Sequence, residues 1–290
     1  MYWQTARFRI ELTSPKVMGI VNVTPDSFSD GGLHADVHGA LAHCERLIGE
    51  GAEILDIGGE SSRPGATPLS VEEELRRILP VTLHALKLGV PISVDTCKPE
   101  VMRVVLGEGA DIVNDIHALT APGALECLAA HPQAGVCVMH MQGLPVYMQD
   151  RPQYKDVVDE VLRFLGSRCE ALCALGISRE RIVIDPGIGF GKSVAHNVEL
   201  LARQGELLVL GRPLLVGWSR KSTLGALTGR KVEERLAASV AAALAAVQRG
   251  ASIVRVHDVA ATVDALKIWR AAGLAAAPWH NAPIDDTGTP

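Results

Sequence analysis

Residues 17–32 read VMGIVNVTPDSFSDGG. The first five are apolar and do not alternate with polar types, which fits a strand covered on both faces. At Asn22 the apolar character stops. Thr24, Pro25, Asp26, Ser27, Ser29, Asp30, Gly31 and Gly32 follow, all polar or turn-forming types. A buried strand therefore opens into a long polar loop before the next helix. Phe28 stands alone in that loop, and by itself it reads as an aromatic tucked against the loop's own base.

The same pattern of apolar run, polar loop and helical periodicity recurs along the chain. Eight apolar runs stand at 17–21, 53–57, 91–94, 111–116, 135–139, 181–184, 213–217 and 252–256. Eight helix-like stretches follow them, at 36–50, 70–88, 98–107, 122–130, 155–174, 194–204, 233–248 and 259–272. Ser70 with Glu73 has capping-box spacing, Pro99 sits at an early helical position, and Gly89 and Gly176 stand where helices stop. Eight strand–helix units predict a single-domain (β/α)8 TIM barrel over residues 1–273. A doubly wound open sheet is the alternative, because periodicity does not say whether the sheet closes. Residues 8–12, FRIEL, are expected to add a strand at the barrel's bottom. Residues 274–290 read as a poorly ordered tail.

Composition narrows the class. The chain has 290 residues, 48% hydrophobic and only 4% aromatic, which suits many parallel strands under tightly packed helices. Its net charge of −5 and lack of a polybasic run argue against nucleic-acid or anionic-membrane binding. No apolar stretch of transmembrane length and no signal-peptide pattern is visible, so a cytoplasmic location is the default expectation. The six cysteines form no CxxC pair and no zinc-like spacing with histidine; they read as small reduced hydrophobes.

In a barrel of this kind chemistry sits at the C-terminal ends of the strands. There the sequence places Asn22, GGESSRPGA (58–66), Asp95, Asn114 with Asp115, His140, DPGIGFGKS (185–193), GWSRKS (217–222), and Arg255 with His257. Polar ends on all eight strands exceed what solvation of a barrel rim requires. Arg63, Lys221, Arg255, His257 and Arg220 form a cationic group suited to a phosphate or diphosphate. Asn22 is an oxygen donor of the kind Mg2+ accepts beside phosphate oxygens and water. Asp95, Asn114 and Asp185 are acceptors suited to a flat heterocycle with N–H donors. Asp185 also fits a turn before Pro186-Gly187, Asp95 a helix cap, and His140 a structural histidine. Residues 191–193, GKS, are not a phosphate-binding P-loop, because the first glycine of that pattern would fall on Pro186.

With these motifs in order, the chain resembles dihydropteroate synthases. The resemblance rests on NVTPDSFSDGG (22–32), DIGGESSRPGA (56–66), SVDT (93–96), NDI (114–116), MHMQG (139–143), DPGIGFGK (185–192), SRKS (219–222) and RVHDV (255–259). It implies condensation of a dihydropterin-methyl diphosphate with 4-aminobenzoate to 7,8-dihydropteroate, in folate synthesis. It further implies that Asp95, Asn114, Asp185 and Lys221 hold the pterin. Asn22, Ser62, Arg63, Arg255 and His257 would hold the diphosphate, with Mg2+ at Asn22. Phe28, Ser62, Arg63, Pro64, Phe190, Lys221 and Ser222 would surround the aminobenzoate, where sulfonamides compete. Lys221, Arg255 and Asp185 would be catalytic, and the assembly a homodimer. The family often has Thr where this chain has Ser62. Two other readings share the pterin-binding residues: a pterin-dependent methyltransferase barrel and a non-catalytic pterin-binding paralogue.

Overall fold

The computed structural model describes residues 1–24, 33–61 and 65–274, with only the backbone described for 33–36. Strands β1 (Tyr2–Gln4) and β2 (Arg9–Glu11) pair antiparallel as a hairpin. Eight parallel strands follow: β3 (Lys16–Asn22), β4 (Ile54–Gly58), β5 (Ile92–Asp95), β6 (Ile112–Asp115), β7 (Gly135–Met139), β8 (Ile182–Asp185), β9 (Leu215–Val216) and β10 (Ile253–Val256). Their order is β8-β7-β6-β5-β4-β3-β10-β9. A parallel bridge between Ile184 and Leu214, with Ile184 N–H on Pro213 O at 3.1 Å, joins the two ends. The expected barrel closes there, and the open-sheet alternative falls away.

Helices α1 (Leu33–Gly49), α2 (Val71–Ala85), α3 (Pro99–Gly107), α4 (Ala124–Ala129), α5 (Val157–Ala174), α6 (Val194–Ala202), α7 (Ser222–Thr228), α8 (Leu236–Gln248) and α9 (Val259–Ala271) surround it. The helix α7 was not expected. Its seven residues contain Gly225, which weakens a helical reading, yet the Arg235 guanidinium occupies the space a Cβ at Gly225 would need. Asp156 caps α5 by accepting from the Val158 and Asp159 N–H groups, and Pro99 opens α3 as expected. At α2 only half of the expected capping box forms. Ser70 Oγ accepts from Glu73 N–H, but the Glu73 carboxylate turns to Arg76 and Arg77, both at 2.6 Å.

The uninterrupted apolar runs conceal a strict alternation. Residues such as Val17, Val21, Leu55, Ile57, Val113, Val136 and Val254 belong to the outer core beneath the helices. Met18, Ile54, Ile112, Cys137, Val183, Leu215 and Ile253 form a separate apolar cluster inside the barrel. Period-two geometry then puts Asp56, Asn114, Asp185 and Arg255 on that same inner face, two residues further along their strands. The inner wall is thus apolar at one end and polar at the other.

The hairpin stops the apolar end. Trp3 is fully buried among the inner cluster and donates from Nε1 to Arg181 O at 2.9 Å. Gly135 leaves it room, since a Cβ there would lie 3.0 Å from Trp3 Nε1. Arg7 Nη2 pairs with buried Asp111 at 2.6 Å and fastens the hairpin to β6. The expected extra strand is therefore one arm of a hairpin; its partner, Tyr2–Gln4, was too short to read from periodicity. Among the described residues no helix is long and apolar enough to cross a membrane. The expected tail lies outside them, save for Leu274.

Candidate active site

Strand register assembles the polar end. Asn22 stands beside Gly58, Gly58 beside Asp95, and Asp95 beside Asn114, so four strand ends lie in one row. Met139 stands beside Asp185 on the far side. Asn114 and Asp185 are buried, and Asp95 nearly so.

Arg255 is the hub. Its Nε donates to Asp56 Oδ2 at 2.5 Å and its Nη2 to Asp95 Oδ2 at 2.7 Å. Asn114 Nδ2 donates to the same Asp56 oxygen at 3.1 Å. An arginine has five N–H donors, so donors remain for a bound anion. Burial alone would lower the Arg255 pKa, but Asp56 and Asp95 outweigh it and raise it, so the guanidinium stays charged. Burial pushes Asp95 up to about 7, against the pull of Arg255. Burial likewise pushes Asp185 up to about 6, against its bond from Gly187 N–H and the charge of Lys221. Losing one partner of such a buried charge network costs about 3–5 kcal/mol.

Asp56 is a site residue that the strand-end reasoning passed over. It sits inside the apolar run ILDIG, two residues before the strand exit. It is fully buried, and its Oδ1 has no hydrogen-bond partner among the described residues. A buried acceptor left unpaired is costly and marks a place where a donor is missing. The available signal was a carboxylate within a strand buried on both faces.

Lys221 stands at the start of α7 with its Nζ 4.2 Å from the centre of the Phe190 ring. Burial and the nearby Arg255 bring its pKa down to about 8. Phe190, Met139 and Met148 form a small apolar cluster with Ile116 and Met141, giving the polar floor an apolar wall. The turn before Lys221 is held from outside. Arg220 has φ of +59°, its N–H donates to Ser239 Oγ at 2.9 Å, and its carbonyl accepts from Arg235 Nη1 at 3.1 Å. A non-glycine residue in this region persists only when its surroundings fix it.

Two members of the expected cationic group need correction. The Arg220 guanidinium is half exposed and bound to Asp258 at 2.6 Å, so it belongs to the rim. His257 is not a cation: burial, with Arg255 and Arg220 close by, lowers its pKa to about 3. Both its backbone N–H and its Nδ1 lie against Ser219 Oγ, at 3.1 and 3.0 Å. If the hydroxyl accepts the first and donates to Nδ1, His257 Nε2 keeps its proton and serves as a neutral donor.

Ser222 is exposed as the first residue of α7. Asn22 is half-buried at the end of β3. Among the described residues no group of three or more His, Cys, Asp or Glu side chains is placed to hold a metal ion. A cation at Asn22 would thus take one protein oxygen and draw the rest from phosphate and water, which suits Mg2+. Phe28, Ser62, Arg63 and Pro64 lie outside the described residues. Next to them in the chain, Glu60 accepts Leu69 N–H at 3.0 Å and binds Lys98 Nζ. Lys98 also reaches buried Glu74 at 2.5 Å. The six cysteines are all free, and burial raises the pKa of Cys44, Cys97, Cys127, Cys137 and Cys169, which keeps them as inert thiols.

Residues 18–257 match the family model described as "Pterin binding enzyme". A dihydropteroate synthase of Neisseria meningitidis serogroup B is 54% identical over 278 residues, covering 94% of this chain and 98% of the relative. A structure of Xanthomonas albilineans dihydropteroate synthase with 4-aminobenzoic acid superposes with a TM-score of 0.87 at 55% identity, covering 93% of this chain and 96% of that one. A second structure of that enzyme, in complex with 7,8-dihydropteroate, gives 0.86 at 51% identity, covering 96% of this chain and 100% of that one.

Proposed function

The chain belongs to the pterin-binding enzymes, among the dihydropteroate synthases, and from that premise we propose that it joins (7,8-dihydropterin-6-yl)methyl diphosphate to 4-aminobenzoate, giving 7,8-dihydropteroate and diphosphate. The observation that carries this reading is the buried Asp56–Arg255–Asp95 network beside Asn114 and Asp185. A pterin ring offers amide and amino N–H donors, and the unpaired Asp56 Oδ1 is one acceptor for them. Asp95, Asn114 and Asp185 supply the others, with Lys221 over the ring system.

The reaction breaks the methylene C–O bond, and the electron pair leaves with diphosphate. Arg255 meets the growing negative charge, with His257 Nε2–H as a second donor. Asn22 would hold Mg2+, which when bound supplies further charge neutralisation at the diphosphate. The pterin shares the positive charge left on the methylene carbon, and Asp95 and Asp185 stabilise it electrostatically. The arylamine nitrogen then forms the C–N bond and gives its extra proton to solvent or diphosphate. An arylamine is neutral at pH 7, so no strong base is required.

The Ser219–His257 contact also suggests a serine–histidine nucleophile pair. The geometry opposes it: Ser219 Oγ is tied to the His257 backbone N–H, and a histidine pKa near 3 gives a weak base. Diphosphate departure before amine attack is our preferred order. Enzyme mixed with the pterin substrate alone should release diphosphate; strict dependence on aminobenzoate would overturn that order. The decisive assay mixes protein, pterin diphosphate, aminobenzoate and Mg2+ and measures dihydropteroate. Absence of product at every concentration would reject the reading and favour the paralogue. Competition by sulfonamides with aminobenzoate, and a two-copy assembly in solution, belong to the same proposal.

A further inference from the structure

Lys192 and His140 have no part in the chemistry above. Lys192 is 2% exposed, yet it pairs with no carboxylate among the described residues. Its Nζ lies 2.9 Å from His140 Nδ1, 3.0 Å from Gly187 O, 3.0 Å from Phe190 O and 3.2 Å from His140 O. An ammonium has three protons and no lone pair, so four acceptors saturate it. Burial makes that charge expensive and brings the Lys192 pKa down to about 7, against the pull of Asp185, and an apolar side chain of similar volume would serve stability as well or better. The position therefore calls for an explanation in geometry.

The gripped carbonyls supply one. Gly187 and Phe190 lie in the loop leaving β8, and His140 directly follows β7. Gly187 N–H donates to Asp185 Oδ1 at 2.7 Å, and the Phe190 ring carries Lys221 Nζ. Gly187 has φ of +69°, and a Cβ there would overlap His140 O, so the two strand exits touch at this point. His140 is itself fixed by the Phe164 ring, at 5.1 Å between centroids in an edge-on arrangement. Burial and the adjacent Lys192 lower its pKa to about 3, so it remains a neutral acceptor.

We propose that Lys192 is a positioning residue for the condensation, holding residues 186–191 through the Gly187 and Phe190 carbonyls so that Asp185 faces the pterin and Phe190 faces the aminobenzoate, with His140 Nδ1 completing its shell. The proposal rests on the function given above, and wild-type protein that forms no dihydropteroate would reject that function rather than this role. In wild-type enzyme that turns over, Lys192→Met should raise the aminobenzoate KM at least tenfold and weaken pterin diphosphate binding at least threefold by calorimetry. A control of comparable loss in Tm, Leu172→Ala in α5, should leave both constants within twofold. His140→Leu keeps the three carbonyl contacts and should raise the aminobenzoate KM two- to fivefold; it carries the test if Lys192→Met does not fold. Both constants within twofold of wild type in a folded Lys192→Met, or an unchanged KM in His140→Leu, would overturn the positioning role.

Discussion

At the scale of single residues, opposed pKa shifts set a working window. Burial pushes Asp185 up to about 6 and Asp95 up to about 7, and in the proposed pterin site a carboxylate that gains a proton loses acceptor capacity, so function should fall as pH drops through these values. Lys221 is brought down to about 8 by burial, and it loses its charge as pH rises past that value. The pH profile of kcat/KM for the pterin substrate, which reports groups of the free enzyme, should therefore be bell-shaped, with an acid flank between about 6 and 7 set by Asp185 and Asp95 and an alkaline flank near 8. In Lys221→Arg the alkaline flank should disappear from the measurable range, because guanidinium does not deprotonate there. A flank unmoved in that variant would assign it elsewhere. Asp56→Ala should weaken pterin diphosphate binding by about 2–3 kcal/mol, roughly 30–150-fold, since it removes a charged acceptor and leaves Arg255 half-paired; calorimetry measures it. Asp95, Asn114 and Asp185 were legible because they end strands. Asp56 is not legible in the same way, because it lies inside a run of otherwise apolar buried residues, before the strand exit. Lys192 falls within GKS and within DPGIGFGK, and neither pattern announces a buried lysine wrapped by carbonyls.

At the scale of elements, the sequence read well wherever one strong signal governed a segment. The eight barrel strands were located to within two residues of their observed ends, since continuous burial leaves long Val/Ile/Leu runs. Boundaries moved where local chemistry competed. Glu73 prefers two arginines to the α2 backbone, and the expected helix over 194–204 gives way to a 3-10 turn, Gln204–Leu210. The loop after β8 depends on backbone conformation more than on side chains. Gly187→Ala would demand a positive φ and intrude on His140 O. That variant should lose about 2 kcal/mol or more of stability in urea titration, with a parallel loss of pterin affinity. Equal affinity in the surviving folded protein would separate the loop from the site. The β1–β2 hairpin makes the opposite case. Trp3→Ala should cost about 3–5 kcal/mol on equilibrium unfolding, while the kcat of the folded fraction stays near wild type, because the site lies at the other end of the barrel.

For the whole molecule, the barrel class followed from counting strand–helix units, but closure did not, because it depends on one bridge between Ile184 and Leu214. The inner face divides into an apolar half and a charged half, and that division was invisible in sequence until register fixed which residues share a level. The Trp3 hairpin, described above as a stopper, also governs traffic. Among the described residues the base is stoppered, so both substrates of the proposed reaction would come and go by the polar end. Asp185 and Asn114 line the floor, whereas Ser222 stands exposed at the threshold. If the aminobenzoate sits at Ser222 as proposed, it would bar the way to the floor when it binds first. Stopped-flow mixing should accordingly show pterin diphosphate binding slowed by preincubation with saturating aminobenzoate, while the reverse order shows no such delay. In the proposed reaction the joined product would leave by the same end of the barrel that its substrates entered.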